Sequence, residues 1–121
     1  MAKVLLVDDE PTILIVLEAI LRSAGHDTVT CNDSTSVPEL IKNSRFDLMV
    51  SDVRMTPIDG FQLLKAARAL KPPLPTILVS AYELQANGLT PQDLGAAGYL
   101  RKPFNNRELL GCVERALLQN G

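Results

Sequence analysis

The sequence predicts an α/β domain in which helices cover both faces of a doubly wound, five-stranded parallel sheet. Short runs such as Val4–Val7 and Leu48–Val50 are purely apolar, which is typical of strands buried on both faces. These runs alternate with stretches in which apolar residues recur at helical spacing. Five β-α units in succession favour a parallel sheet, because each helix returns the chain to the starting edge of the sheet.

The first half of the chain contains the signals for two helices and a second strand. Apolar residues at i, i+3, i+4, i+7 and i+8 predict a helix that starts near Pro11 and ends before Gly25. Thr28–Cys31 is the predicted second strand. Ser36 and Glu39 form a possible capping box, which places the start of the second helix at Ser36.

Three strands are predicted in the second half. The third strand, which begins at Leu48, ends at Asp52, and Thr76–Val79 is the fourth. Tyr99–Arg101 is a short fifth strand. In a doubly wound sheet, the ligand site lies beyond the carboxyl ends of such strands.

The remaining helices are predicted from their N-terminal caps. Asp59 with Gln62, and Asn105 with Glu108, have the spacing of capping boxes. Thr90 is expected to cap a short helix before the fifth strand.

Composition indicates one soluble domain that spans residues 1–121. The chain is 46% hydrophobic and 21% charged, with a formal net charge of −2, which gives no electrostatic case for binding nucleic acid or an anionic membrane. No signal peptide or membrane span is recognisable.

Cys31 and Cys112 are predicted to be free thiols, so we expect a cytoplasmic protein. Because His26 is the single histidine, we do not expect a zinc site built on imidazoles.

Polar residues that could carry chemistry follow the predicted strands. They are Asp8, Asp9, Asp52, Ser80 and Lys102. Taken singly, such an acid is usually a helix cap, and such a lysine is usually solvated. Together, however, carboxylates about 4–5 Å apart would repel one another by about 3–4 kcal/mol per pair at an effective dielectric constant near 20. We therefore expect a hard divalent cation, Mg²⁺ or Mn²⁺, to bind these carboxylates and compensate their charge. Lys102 is expected to offset part of that charge.

The motifs of the whole chain, in their order, resemble those of response-regulator receiver domains from two-component signalling. The matching segments are Val7-Asp8-Asp9-Glu10, Ser51-Asp52-Val53-Arg54-Met55, Asp59-Gly60, Ser80-Ala81 and Tyr99-Leu100-Arg101-Lys102-Pro103-Phe104. The resemblance implies the flavodoxin-like strand order 2-1-3-4-5. It also implies a phosphorylation-dependent switch rather than an enzyme that turns over an external substrate.

The resemblance assigns the acceptor and the metal ligands. Asp52 would take a phosphoryl group from a histidine kinase or a phosphotransfer protein. Asp9 and Asp52 would bind Mg²⁺ directly, Asp8 would bind it through water, and the backbone carbonyl of Arg54 would complete the protein ligands.

It also assigns the residues that read the phosphoryl group. Lys102, the hydroxyl of Ser80 and the backbone amide of Ala81 would bind it. Tyr99 would turn inward when Ser80 moves, and a downstream effector protein or domain would read the changed surface around the last two β-α units. Pro103 would follow a cis peptide bond.

The sequence departs from the family pattern in two places. Thr56 stands where the family usually has proline, and Pro57 follows; a changed loop path with an intact site is expected, because the spacing to Asp59 is normal. Gly88 and Pro91 interrupt the helix on which partners of receivers often dock, so the sequence leaves the docking surface open.

Three other interpretations fit the sequence less well. A haloacid-dehalogenase-like phosphatase needs an acid two residues after its nucleophile, where Arg54 stands. A flavodoxin-like electron carrier needs a phosphate-binding loop after the first strand, where Asp8 and Asp9 repel phosphate. A receiver-like module that works without phosphorylation would lack an acid or the lysine. The sequence names neither the kinase nor the output, and it leaves open whether the domain acts alone or within a longer regulator.

Overall fold

The strands form one parallel sheet. The computed structural model describes residues 2–81, 90 and 93–118. In that part of the chain the strands are β1 (Lys3–Val7), β2 (Asp27–Cys31), β3 (Leu48–Asp52), β4 (Thr76–Ser80) and β5 (Gly98–Arg101). Their order is β2-β1-β3-β4-β5, and every pairing is parallel. The predicted doubly wound topology is confirmed.

The strand register brings the carboxyl ends of the strands to one edge. Val7 pairs with Cys31 on one side and with Ser51 on the other. Asp52 pairs with Val79, and Ser80 pairs with Arg101. Residues that directly follow these positions therefore share one rim of the sheet, as predicted.

Four α-helices are assigned within the described residues: α1 (Pro11–Ser23), α2 (Val37–Asn43), α3 (Gly60–Arg68) and α4 (Asn106–Leu118). The start of α3 is the predicted capping box, in which Asp59 and Gln62 each accept a hydrogen bond of 2.9 Å from the other's backbone amide. Asn105 and Glu108 exchange the same bonds before α4, at 2.8 and 3.1 Å. Gly25 has a φ of 91°, which suits the residue that ends the turn after α1.

The predicted capping box at Ser36 is wrong. Ser36 is helical itself, with φ −83° and ψ −16°, and makes no side-chain cap. Its hydroxyl donates to Asp33 at 3.1 Å instead, and Asp33 accepts the Thr35 amide at 3.0 Å. Since a carboxylate three residues upstream already captures these donors, the chain turns earlier, into a 3₁₀ helix at Ser34–Ser36.

The segment before β5 is described only in part. Thr90 and Asp93 exchange reciprocal hydrogen bonds of 2.8 and 3.1 Å, the pattern expected where Thr90 caps a helix. The predicted interruption at Gly88 and the predicted helix start at Pro91 lie outside the described residues.

Two layers of apolar side chains hold the sheet, one on each face. Side chains alternate along β1, so Val4 and Leu6 enter one layer while Leu5 and Val7 enter the other. The first layer packs α1 and α4 against the sheet through Leu14, Leu17, Leu21, Leu109, Val113 and Ala116. The second packs α2 and α3 through Val37, Ile41, Leu63 and Ala67. Each fully buried leucine or isoleucine contributes about 1.5–3 kcal/mol, so this burial is the main force that fixes the strand ends.

A smaller apolar cluster lies at the β4–β5 side of the sheet. It consists of Val53, Leu64, Leu78 and Ala96, against which Tyr99 packs half-buried. None of the helices described here has both the length and the apolar character needed to cross a lipid bilayer.

Candidate functional site

Three carboxylates meet at the carboxyl edge of the sheet. One oxygen each from Asp8, Asp9 and Asp52 lies within 4.8 Å of the others. Asp8 and Asp9 follow β1, and Asp52 ends β3, so two neighbouring strands carry all three. Asp8 is buried, Asp52 is half-buried and Asp9 is exposed, which leaves the cluster open to solvent on the Asp9 side.

Asp8 is the most enclosed acid of the cluster, with a relative exposure of 2%. Its Oδ1 accepts the backbone amide of Glu10 at 2.9 Å, and its Oδ2 lies 3.4 Å from Nζ of Lys102. Its own amide donates to the carbonyl of Cys31 at 3.3 Å. Both carboxylate oxygens of Asp8 thus have protein partners, which fixes the orientation of this side chain.

Lys102 bridges two of the acids. Its Nζ lies 3.4 Å from Asp8 and 3.5 Å from Oδ1 of Asp52, and its side chain is only 22% exposed. The backbone amide of Lys102 donates to the carbonyl of Ser80 at 2.8 Å, which places the lysine beside the end of β4. The Lys102–Pro103 peptide bond is cis, as the resemblance implied.

The electrostatics of the cluster favour a bound cation. Burial raises the pKa of the Asp8 and Asp52 carboxyls above their ordinary value of 3.8, and Lys102 opposes this rise at both. The pKa of Asp8 is raised further by the charge of Asp52, and that of Asp52 by the charge of Asp9. At these two carboxyls, burial and the charge of a neighbouring acid thus outweigh the effect of Lys102. Three converging carboxylate oxygens are the donors that hard divalent cations prefer, so the residues fit such an ion.

The loop from Val53 to Asp59 borders the cluster. Residues of this loop, among them Arg54 and Thr56, line an open cavity of about 460 Å³ together with Asp9 and Phe61. Thr56–Pro57 is a second cis peptide bond, while α3 still begins directly after Asp59. The changed loop path with an intact site that was expected at Thr56 stays a prediction.

The residues assigned to phosphoryl recognition lie along the same rim. Ser80 is buried at the end of β4, one position beyond the partner of Asp52, and Ala81 follows it in an exposed position. Tyr99 pairs with Leu78 and packs half-buried in the β4–β5 cluster. The structure thus brings Ser80, Ala81 and Lys102 to the edge that carries the acids, with Tyr99 on the adjoining strand.

Sequence reasoning missed one contact that bears on this site. The hydroxyl of Ser34 accepts the backbone amide of Ile58 at 3.3 Å, although the two residues are 24 positions apart. A hydrogen bond between two loops leaves no periodic signal in the sequence. The capping preference of Asp33 was the available clue that Ser34 begins a turn.

This fold and this site define a class: α/β signalling domains with an acid cluster, a bridging lysine and a hydroxyl at the carboxyl edge of a 2-1-3-4-5 sheet. The family model described as the response regulator receiver domain matches residues 4–114. The chain belongs to this family and is a phosphorylation-dependent signalling switch of two-component systems. Receivers generally bind Mg²⁺.

Named relatives agree with this membership. The chain is 33% identical over 114 residues to the transcriptional regulatory protein ZraR of Escherichia coli K12, covering 94% of this chain and 26% of that protein. It is 38% identical over 117 residues to the response regulator protein FleR of Pseudomonas aeruginosa, covering 97% and 25%. The chain thus spans about a quarter of the length of these curated relatives.

Solved structures show the same fold. The chemotaxis protein CheY4 of Vibrio cholerae superposes with a TM-score of 0.85 at 33% identity, covering 96% of this chain and 98% of that one. A response regulator receiver domain protein from Clostridium thermocellum superposes with a TM-score of 0.89 at 26% identity, covering 99% and 97%.

Proposed function

We propose that Asp52 accepts a phosphoryl group from a histidine kinase or a phosphotransfer protein. The observation that carries this proposal is the bridge from Lys102 to Asp8 and Asp52, at 3.4 and 3.5 Å, inside the acid cluster. Both oxygens of Asp8 are committed to protein donors, whereas Asp52 keeps a side-chain exposure of 12% and pairs with Lys102 through Oδ1. The lysine next to Asp52 is a partner for the charge that arrives with the phosphoryl group.

The expected cation ligands are Asp8, Asp9 and Asp52, together with the backbone carbonyl of Arg54. A bound Mg²⁺ would polarise the phosphoryl group and screen it from the acids. The chain's own part is to hold these oxygens ready: the Glu10 amide orients Asp8, and the pairing of β3 with β4 positions Asp52. Such pre-positioning is the main contribution a protein makes to phosphoryl transfer.

The transfer balances within the proposed site. A carboxylate oxygen of Asp52 forms a bond to phosphorus as the phosphorus–nitrogen bond of the donor's phosphohistidine breaks. The histidine ring, protonated on its other nitrogen, takes that electron pair and leaves as neutral imidazole. Lys102 then pairs with the phosphoryl oxygens. The hydroxyl of Ser80 and the amide of Ala81 are proposed to donate to the same oxygens.

We propose that the signal leaves the site through β5. Ser80 pairs with Arg101 and the Lys102 amide donates to Ser80, so a shift of Ser80 toward phosphate pulls on the strand that carries Tyr99. Tyr99 packs in the small β4–β5 cluster rather than in the two main layers, so its ring moves without disturbing them. An effector protein or domain reads the changed surface.

The proposal covers residues 1–121 as one receiver unit that turns over no external substrate and makes no direct contact with nucleic acid. Cys31 and Cys112 are free, which agrees with action in the reducing cytoplasm. Turnover of a phosphomonoester by the purified chain would instead favour the phosphatase interpretation.

The test is phosphorylation with acetyl phosphate and Mg²⁺, followed by mass spectrometry of the intact chain and its peptides. We expect one added phosphoryl group on Asp52, none on the Asp52→Asn variant and none in excess EDTA. NMR with a beryllofluoride salt should perturb Asp52, Ser80 and Tyr99. Modification of another residue, or modification that survives Asp52→Asn, contradicts the assignment.

A further inference from the structure

The hydroxyl of Ser34 connects two loops at the carboxyl edge of the sheet. Ser34 opens the 3₁₀ helix after β2 and is only 4% exposed, whereas Thr35 and Ser36 in the same turn are exposed. Its Oγ accepts the backbone amide of Ile58, in the loop before α3, at 3.3 Å. The buried hydroxyl of Ser34 therefore restrains the loop before α3, which belongs to a different part of the chain.

Ser34 is itself held firmly, because Asp33 closes its turn. The Asp33 carboxylate accepts the Thr35 amide at 3.0 Å, the Thr35 hydroxyl at 2.6 Å and the Ser36 hydroxyl at 3.1 Å. These bonds hold the pKa of Asp33 below its ordinary value. The turn therefore does not need the Ser34 hydroxyl for its own stability, and Ser34 presents a fixed acceptor to Ile58.

The loop that receives this bond carries a proposed cation ligand. Its base is closed by two backbone bonds of 2.9 Å, from Gly60 to the carbonyl of Val53 and from Val53 to the carbonyl of Val79. The segment from Arg54 to Pro57 lies between that base and Ile58, and Met55 is its one buried side chain. The bond to Ser34 thus restrains the loop at Ile58, two residues before Gly60 and directly after the segment that carries Arg54.

We propose that Ser34 is a positioning residue for the cation and phosphoryl site. It acts through the Ile58 amide, which restrains the loop whose Arg54 lines the same cavity as Asp9. This inference rests on the proposed function, because it matters only if the loop contributes a cation ligand. Without the hydroxyl, the loop samples more positions, and each binding event has to order it again.

The test compares hydroxyl deletions within one turn. Ser34→Ala removes the acceptor for Ile58, and Ser36→Ala removes a hydroxyl that contacts Asp33. Binding of Mn²⁺ is titrated through the electron paramagnetic resonance signal of the free ion, with circular dichroism confirming that each variant is folded. We expect the dissociation constant to rise about three- to tenfold for Ser34→Ala and to stay within about twofold for Ser36→Ala and for the hydroxyl-retaining Ser34→Thr.

A second measurement reads the hydrogen bond directly. The Ile58 amide should exchange with solvent faster in Ser34→Ala than in wild type or Ser36→Ala, in the absence of any metal. Ser34→Gly provides a second hydroxyl-free variant should alanine prevent folding. If Ser34→Ala binds Mn²⁺ as well as wild type does, the positioning role of Ser34 is refuted while the proposed function stands. If wild type binds no Mn²⁺, the proposed function fails first.

Discussion

The backbone of Gly60 lies directly against the backbone of Asp52. A Cβ atom added to Gly60 would overlap the Asp52 carbonyl oxygen and lie 2.8 Å from Cα of Val53. The Gly60 amide also donates to the carbonyl of Val53 at 2.9 Å. The first residue of α3 is thus packed against the end of the strand that carries the proposed acceptor, and only glycine fits there.

Gly60→Ala should therefore damage both fold and site. Because the atoms nearest to the added methyl group are rigid backbone, we expect a loss of about 2–3 kcal/mol in the free energy of unfolding. Phosphorylation by acetyl phosphate should slow as well. Gly111→Ala is the matched control. Among the described residues its methyl group meets the flexible end of Arg115, at 3.2 Å, and alanine in a helix gains up to about 1 kcal/mol over glycine. If urea unfolding gave Gly60→Ala the same free energy of unfolding as Gly111→Ala, the close contact between Gly60 and the Asp52 backbone would be contradicted.

Lys102→Met should separate cation binding from phosphoryl acceptance. Removal of the ammonium leaves Asp8 and Asp52 more negative as a pair, so Mn²⁺ affinity should rise at least about threefold. Phosphorylation should fall at least about tenfold, because the charge partner of the phosphoryl group is gone. Lys42→Met, an exposed lysine in α2, should change neither. Weaker Mn²⁺ binding by Lys102→Met would show that the lysine holds the acids in place rather than competing with the ion.

Asp52→Asn should stabilise the metal-free domain. The pKa of Asp52 is raised even with Lys102 beside it, so its surroundings as a whole disfavour the charged carboxylate. Removal of that charge should add about 1–2 kcal/mol to the free energy of unfolding at neutral pH in EDTA. The exposed Asp27→Asn should change it by less than about 0.5 kcal/mol. An unfolding midpoint for Asp52→Asn at or below that of wild type would count against an uncompensated acid cluster.

The same gain should shrink in acid. A carboxyl whose pKa is higher in the folded than in the unfolded state binds more protons when folded, so its cost is present at neutral pH and disappears as pH falls through the raised pKa toward 3.8. The stability difference between Asp52→Asn and wild type should therefore decline over that window in EDTA. Asp33 and Asp93, whose pKa values are lowered, change stability in the opposite direction but cancel in the difference. A difference independent of pH would refute the raised pKa.

Mn²⁺ binding should be lost on acidification at a pH above 3.8. The ion and the proton compete for the carboxylates, and burial raises the pKa of both Asp8 and Asp52. Titrations at several pH values check this. A dissociation constant for Mn²⁺ that stays the same down to pH 3.8 would show that the ion does not bind at Asp8 and Asp52.

Much of this molecule is predictable from its sequence, because local signals agree with the topology. The capping boxes at Asp59 and Asn105 formed as expected, and apolar runs marked the strands. The rule that ligands gather at strand ends was sufficient to join Lys102 to Asp8, which are 94 positions apart. The errors and omissions have one cause: Asp33 outcompeted Ser36 for the cap, and Ser34 reached Ile58, through hydrogen bonds that follow no period.

The two-layered core has a consequence for how this domain changes over time. Leu5 and Leu6 are neighbours in β1, yet their side chains belong to opposite layers that the sheet backbone keeps apart. Substitutions that share no partners combine nearly additively. Each layer can thus change in sequence independently of the other. Evolution can therefore alter the helices on one face of the sheet while the layer on the other face still supports the strand ends that carry the site.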